Sequence, residues 1–190
     1  ITEEFNLTPG QMGIIMSGFF WSYALLQLPS GWAADKYGQK KTLGFAVVWW
    51  SVATALTGLA TGFKSLLGLR VALGVGEAAA YPSNAGIAAK WFPKKERATV
   101  AGIFDSGSKF GGAVAMPLIA WMIAVFDWKL TFLLIGLVGV AWGIVWMIFF
   151  KENPADHKRV NEAELAHIRE GQAHMEETGG GQPLKWYQLF

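Results

Sequence analysis

The chain has 190 residues, of which 53% are hydrophobic and 16% charged, with ten Trp, no Cys and a formal net charge of +2. Soluble domains usually carry about 25% charged residues, so this composition points to a chain that lives in lipid. The lack of Cys excludes disulfides and thiolate metal sites.

Residues 1–10 read as a polar entry, with Thr8 placed to cap a helix and Pro9 in its first turn. Residue 1 is Ile in an acidic, loop-like setting and no signal peptide is read, so the sequence is expected to start within a longer protein. Residues 11–34 form the first expected span, long enough for a hydrocarbon core of about 30 Å. Gly13, Ser17 and Gly18 allow close helix contact there, and Gln27, Pro29 and Gly31 suggest a bend with one polar position. A short basic turn follows at 35–41. The second span covers 42–61, with Trp49 and Trp50 in its middle, and the third covers 66–89 after a tight turn at 62–64.

Pro93 is expected to stop the third span within a basic connection at 90–97. The fourth span, 99–125, holds Asp105 and Lys109 four residues apart, and Gly102, Gly107, Gly111 and Gly112. Phe126 to Lys129 make a turn with an interfacial Trp128, and 130–150 is the fifth span. Residues 1–150 thus read as an antiparallel bundle of five membrane helices. Residues 151–190 read as a charged, polar linker. Within it, 161–177 has helix-forming composition, Gly179–Gly181 is a flexible link, and 184–190 is the run-up to another span.

Loop charge sets the expected orientation. Twelve of the sixteen Lys and Arg lie in 35–41, 90–97 or after 150, whereas the opposite turns hold only Lys64 and Lys129. Under the positive-inside rule, 35–41, 90–97 and 151–190 are cytoplasmic and residues 1–10 lie outside.

Two charges stand inside the apolar run of the third span. Arg70 and Glu77 are seven positions apart, so both project from one helix face. Each costs about 2.5–3.5 kcal/mol at the centre of a membrane helix. That cost is met either by a polar, water-lined site or by an arginine–carboxylate clamp between helices. Asp105 and Lys109 likewise read as an i,i+4 pair that neutralises itself or as separate site groups. Other constellations are set aside. His157, His167 and His174 fall in the polar tail without metal-pair spacing and read as solvated. Gly74-x-Gly76 follows no strand and is no nucleotide loop. The basic turns carry too few aromatics to argue for nucleic acid and suit anionic headgroups instead. No Ser–His–Asp set lies in the membrane, so no enzyme, metal or cofactor is expected.

Gly31-x-x-x-Asp35-Lys36-x-Gly38-x-Lys40-Lys41 resembles the cytoplasmic signature between the second and third helices of major facilitator superfamily transporters, with Gln39 where that family often has Arg. Asp35 is expected there to pair with the basic cluster or a neighbouring helix end. Further matches look like the anion:cation symporter branch, which includes bacterial galactonate, glucarate and hexuronate transporters. They are Trp21, Gln27-x-Pro29-x-Gly31, Arg70, Gly74-x-Gly76-Glu77-Ala78, Pro82, Trp91-Phe92-Pro93, Glu96-Arg97, Pro117 and Asp127-Trp128. The resemblance implies an all-α major facilitator fold, present as a partial N-terminal bundle without the family's first helix or second bundle.

It also implies function. Expected is a secondary active transporter of the bacterial inner membrane, a monomer when full length, importing a sugar acid by proton symport and alternating access. Arg70, Tyr81, Asn84 and Lys109 would contact substrate, and Glu77 and Asp105 would handle the proton. Gly31, Asp35, Lys36, Gly38, Lys40 and Lys41 would gate the cytoplasmic side. The fourth-span glycines lack the Gly-Pro pattern of antiporters, which favours symport. A drug or peptide exporter of the same superfamily, with a broad aromatic cavity and no fixed cation, and a non-transporting membrane scaffold are the alternatives.

Overall fold

The structure, a computed structural model, describes residues 1–170. Among these the regular structure is helical. α1 (Pro9–Tyr37) starts at a capping box: Thr8 Oγ1 accepts from the Gln11 N–H at 3.2 Å, and the Gln11 amide oxygen accepts from the Thr8 N–H at 2.9 Å. Two of the orphan donors at the helix start are satisfied this way. α1 ends at Gly38, whose φ of +91° turns the chain directly into α2 (Gln39–Thr57). Glycine adopts that conformation without the Cβ penalty of other residues.

The 66–89 stretch, read from sequence as one continuous span, forms two helices, α3 (Phe63–Glu77) and α4 (Ala80–Trp91). Pro82 accounts for the difference. It has no N–H to offer the Ala78 carbonyl four residues back, and its ring crowds that carbonyl. The chain tightens there, and the Ala79 N–H reaches back three residues to the Gly76 carbonyl at 3.4 Å. Ala78 and Ala79 both keep right-handed helical angles, so the path is interrupted without reversing. α4 stops where Phe92 becomes extended before Pro93. Arg97 caps it, donating from Nη2 to the Ala89 carbonyl at 2.7 Å and from Nε to the Phe92 carbonyl at 3.2 Å.

α5 (Arg97–Phe126) and α6 (Trp128–Phe149) meet at Asp127, whose side chain accepts from the Leu130 N–H at 3.0 Å. A 3-10 turn at Pro154–Asp156 and the short α7 (Glu162–Arg169) follow. By length and composition α1, α5 and α6 can each cross a membrane. At about 1.5 Å per residue, the 15 residues of α3 and 12 of α4 reach that length only together.

α2 packs between α3 and α6, and α1 lies against α3. Small residues allow the close crossings. A Cβ at Gly76 would come within 2.6 Å of Trp49, and one at Gly18 within 2.7 Å of Leu67. Leu43, Val47 and Ile87 form an apolar core beneath Trp50, Trp91, Trp146 and Phe150. α5 stands apart, packed lightly on α4 and α6. Its glycines 102, 107, 111 and 112 face no neighbour within 4 Å, and Ile103, Phe110 and Met116 are exposed.

Candidate functional site

α3 holds Arg70 and Glu77 two turns apart, each half-buried. Their charges act on one another, yet they form no ion pair. Among the described residues the acidic partners within 4.0 Å of a basic group are Glu4, Glu96, Glu152 and Glu170. Arg70 is therefore a fixed cation with no carboxylate in contact, and the arginine–carboxylate clamp is not formed in this arrangement.

A second group of candidate residues meets elsewhere. Tyr81 and Asn84 from α4 and Asp105 and Ser108 from α5 line a cavity of about 270 Å³ together with Phe104 and several alanines. Tyr81 and Asn84 are three positions apart and Asp105 and Ser108 likewise, so each pair shares one helix face. Lys109 is exposed on α5 and does not line this cavity, and it makes no ion pair with Asp105 among the described residues. Neither the self-neutralising pair nor a Lys109–cavity contact is present. A neighbouring cavity of about 420 Å³ shares Ala80, Asn84 and Phe104, and its far wall is aromatic, with Trp50, Trp142, Trp146 and Phe150. Arg70 and Glu77 line neither cavity. The chain thus presents two separate sets, one on α3 and one between α4 and α5, with the Pro82 bend between them.

At the end of the bundle that carries the basic turns, Gly31 faces Pro82, 3.5 Å from the position of its missing Cβ. Lys36 lies over the Trp32 ring at 4.6 Å. Gln39, in place of the family's Arg, is buried against Gly86. Asp35 is exposed and makes no ion pair among the described residues. The expected partner of the basic turn is replaced by a residue that sequence reasoning missed, Glu152. Its carboxylate accepts from the Gln39 N–H at 3.0 Å and the Lys40 N–H at 2.7 Å, and it pairs with Lys90. These contacts tie the end of α6 to the start of α2 and to α4. Partial burial pushes the Glu152 carboxyl up, but the Lys90 bond and the two backbone donors outweigh it and hold the group below the usual carboxylate range. Its only signal in the sequence was an acid two residues past an apolar span, in an otherwise basic rim.

At the opposite end Glu4 accepts from Trp128 Nε1 at 2.7 Å and pairs with Lys129 at 2.7 Å, joining the entry segment to the α5–α6 turn. Of the two described histidines, His167 is exposed as the sequence suggested and His157 is less solvated. His157 is half-buried against the Trp91 ring at 5.7 Å, and His167 pairs with Glu96 at 2.9 Å. His174, Gly179–Gly181 and 184–190 lie outside the described residues.

Comparison with known proteins gives these sites a setting. The chain is 40% identical over 171 residues to the D-galactonate transporter of Escherichia coli O6:H1, covering 90% of this chain and 40% of that protein. It is 36% identical over 189 residues to the hexuronate transporter of Bacillus subtilis, covering 98% of this chain and 42% of that protein. The chain therefore spans well under half the length of these curated relatives. Its fold is similar to the crystal structure of a bacterial homolog to the human lysosomal transporter Spinster in an inward-facing, occupied conformation. The TM-score is 0.68 at 24% identity, over 83% of this chain and 40% of that one. The pattern of the Major Facilitator Superfamily matches residues 1–189, and the chain, an all-helical membrane protein, belongs to that superfamily.

Proposed function

We propose that this chain is part of a secondary active transporter that imports a small organic anion, a sugar acid, by proton symport and alternating access. The observation that carries this reading is Arg70, a half-buried cation on an apolar helix with no carboxylate within 4.0 Å among the described residues. A carboxylate substrate completes that charge, and similarity to transporters named for galactonate and hexuronate supports the substrate class.

In this mechanism Arg70 binds the substrate carboxylate on α3, and Tyr81 and Asn84, which face a separate cavity about three to four turns further along, contact the solute at another stage of its passage. Glu77 carries the proton. When ionised it attracts Arg70 electrostatically, and when protonated it leaves the guanidinium to the substrate, which couples the two loads. Asp105 is a second proton-linked group in the α4–α5 cavity, and Lys109 joins the site when α5 moves. Residues 31–41 act in the cytoplasmic gate. The protein sits in the bacterial inner membrane with 35–41, 90–97 and 151–190 inside. Residues 1–150 belong to the N-terminal bundle, and 151–190 lead to the second. One observation favours a different substrate: the aromatic wall of Trp50, Trp142, Trp146 and Phe150 suits a bulky apolar solute of the kind an exporter handles.

Uptake by the full-length protein in vesicles, across hexonates, hexarates and hexuronates with an imposed pH gradient, separates these readings. A sugar acid is expected to accumulate uphill, and accumulation of only apolar solutes would support the exporter. Glu77→Gln is expected to keep substrate binding and exchange but to abolish uphill uptake. Arg70→Lys replaces a planar guanidinium with a point ammonium and is expected to weaken binding by about 1.5–3 kcal/mol, or roughly 10- to 150-fold. Unchanged uphill uptake by Glu77→Gln would move the proton site elsewhere.

A further inference from the structure

A groove of about 510 Å³ runs along the face formed by α1, α2, α3 and the α3–α4 junction, and it shares no lining residue with the two cavities described above. Small residues make its floor: Ala46 and Ala79, each 5% exposed, and Gly76. Aromatic rings make its walls. Tyr37, Phe45 and Trp49 expose 57%, 68% and 43% of their surface. Trp49 is held in place by Nε1 donating to the Ala72 carbonyl at 2.8 Å, with the Phe45 ring 6.1 Å away.

The charge lies at one end only. Lys41 lines the groove beside Tyr37, and Lys36 Nζ sits 5.3 Å from the Tyr37 ring. Neither lysine takes part in an ion pair among the described residues. From Lys41 the apolar trough continues along α2 to Trp49, eight helical residues or about 12 Å. Along α2 the same face continues to exposed Val52, three residues beyond Trp49.

A free anion would need the cations but not 12 Å of apolar trough. A neighbouring apolar helix would need the trough but not Lys41 at its mouth and Lys36 beside Tyr37, neither in an ion pair among the described residues. A basic end with an apolar length is complementary to an anionic amphiphile. We propose that this groove binds an anionic phospholipid, its phosphate held by Lys36 and Lys41 and one acyl chain laid over Ala46, Gly76 and Ala79 between Tyr37, Phe45 and Trp49. The lipid would then bridge α1, α2 and α3 at the basic turn.

Native mass spectrometry of the full-length protein, delipidated in detergent and titrated with phosphatidylglycerol, phosphatidylethanolamine or glycerol phosphate, tests this. One phosphatidylglycerol is expected to be retained at several-fold lower concentration than phosphatidylethanolamine, with no retention of glycerol phosphate. Lys36→Gln with Lys41→Gln should erase the preference between the lipids. Ala79→Leu, which fills the floor, and Phe45→Ala, which removes a wall without crowding any helix, should each weaken retention of both. Lys94→Gln with Lys95→Gln, on the other basic turn, should leave the preference intact. Equal retention of the two lipids, a preference that survives loss of Lys36 and Lys41, or glycerol phosphate retained as well as lipid would overturn the proposal. So would a dimer that takes up no lipid, since the groove would then be covered by a second copy of the chain.

Discussion

Replacing Glu152 tests how the basic rim of the bundle is held together. Its carboxylate accepts two backbone N–H groups, at 3.0 and 2.7 Å, and pairs with Lys90. A hydrogen bond to a charged group is worth about 1.5–3 kcal/mol when dry. Here the Glu152 side chain is 28% exposed, and the two donors belong to the first turn of α2, where water can replace a lost acceptor. The two bonds together are then worth about 1.5–3 kcal/mol. Lys90 is 39% exposed, so its pair counts only as a surface bridge of about 0.2–1 kcal/mol. Glu152→Ala is expected to destabilise by about 2–4 kcal/mol, and Glu152→Gln, which keeps one acceptor but loses the charge, by about 1–2 kcal/mol.

The effect carries a pH signature. The folded carboxyl titrates below its ordinary value, so its stabilisation is fully present above the unfolded pKa of about 4.3 and is lost as pH falls through the lowered folded value. Thermal unfolding of wild type and Glu152→Gln in detergent, from neutral pH to below 4, provides the measurement. The gap between them should be widest at neutral pH and should close in acid. Equal stability at neutral pH, or a gap that does not depend on pH, would refute the reasoning.

The chain has no Cys, so a single cysteine introduced into it is unique within these 190 residues. A cysteine at Lys95 should react from the cytoplasm and one at Lys64 from outside, and labelling of Lys95 from outside would reverse the orientation. Asp35→Asn should slow the transport cycle while leaving thermal stability and substrate affinity near wild type, because Asp35 is exposed and unpaired by any ion bridge among the described residues. A large loss of equilibrium substrate binding in well-folded Asp35→Asn would contradict its place at the gate. Gly31→Ala should be tolerated and Gly31→Leu should slow turnover, as measured by initial uptake rates on protein of checked stability.

What the sequence made legible was local. Thr8, Pro9 and Pro93 act within a few residues of where they stand, and each marks a helix end that the structure contains. Arg70 and Glu77 were visible because a charge inside an apolar run has no cheap explanation. The Pro82 interruption was also local, but a strongly apolar window masked it. Glu152 was hidden for a different reason. Its partners Lys90 and Gln39 lie 62 and 113 residues away, and no periodicity connects them. The same distance in sequence hid the Glu4–Lys129 pair. The convergence of Tyr81, Asn84 and Asp105 depends on how α4 and α5 pack, which the spacing within each helix leaves open.

Gly31 and Pro82 bring the proposed gate against the helix junction between the proposed site residues. Gly31 belongs to the signature at the end of α1, and the position of its missing Cβ lies 3.5 Å from Pro82 Cβ. Pro82 causes the interruption between α3, which carries Arg70 and Glu77, and α4, which carries Tyr81 and Asn84. If the α1 end moves in the transport cycle, this contact passes the displacement to the junction between the two sets of side chains. A contact at 3.5 Å is ordinary, so the single methyl of Gly31→Ala fits in place. The longer side chain of Gly31→Leu must displace Pro82 or its own helix, at an overpacking cost of about 1–3 kcal/mol. If the junction works as a hinge, that cost falls unequally on its two conformations, and turnover changes more than stability does. If Gly31→Leu lowers stability and leaves the turnover of the folded fraction unchanged, the contact is packing alone. If it changes neither, α1 and the junction are not tightly packed in the working protein. Slowed turnover with Gly31→Ala still at wild-type rate is the outcome that ties the gate to the site through Pro82.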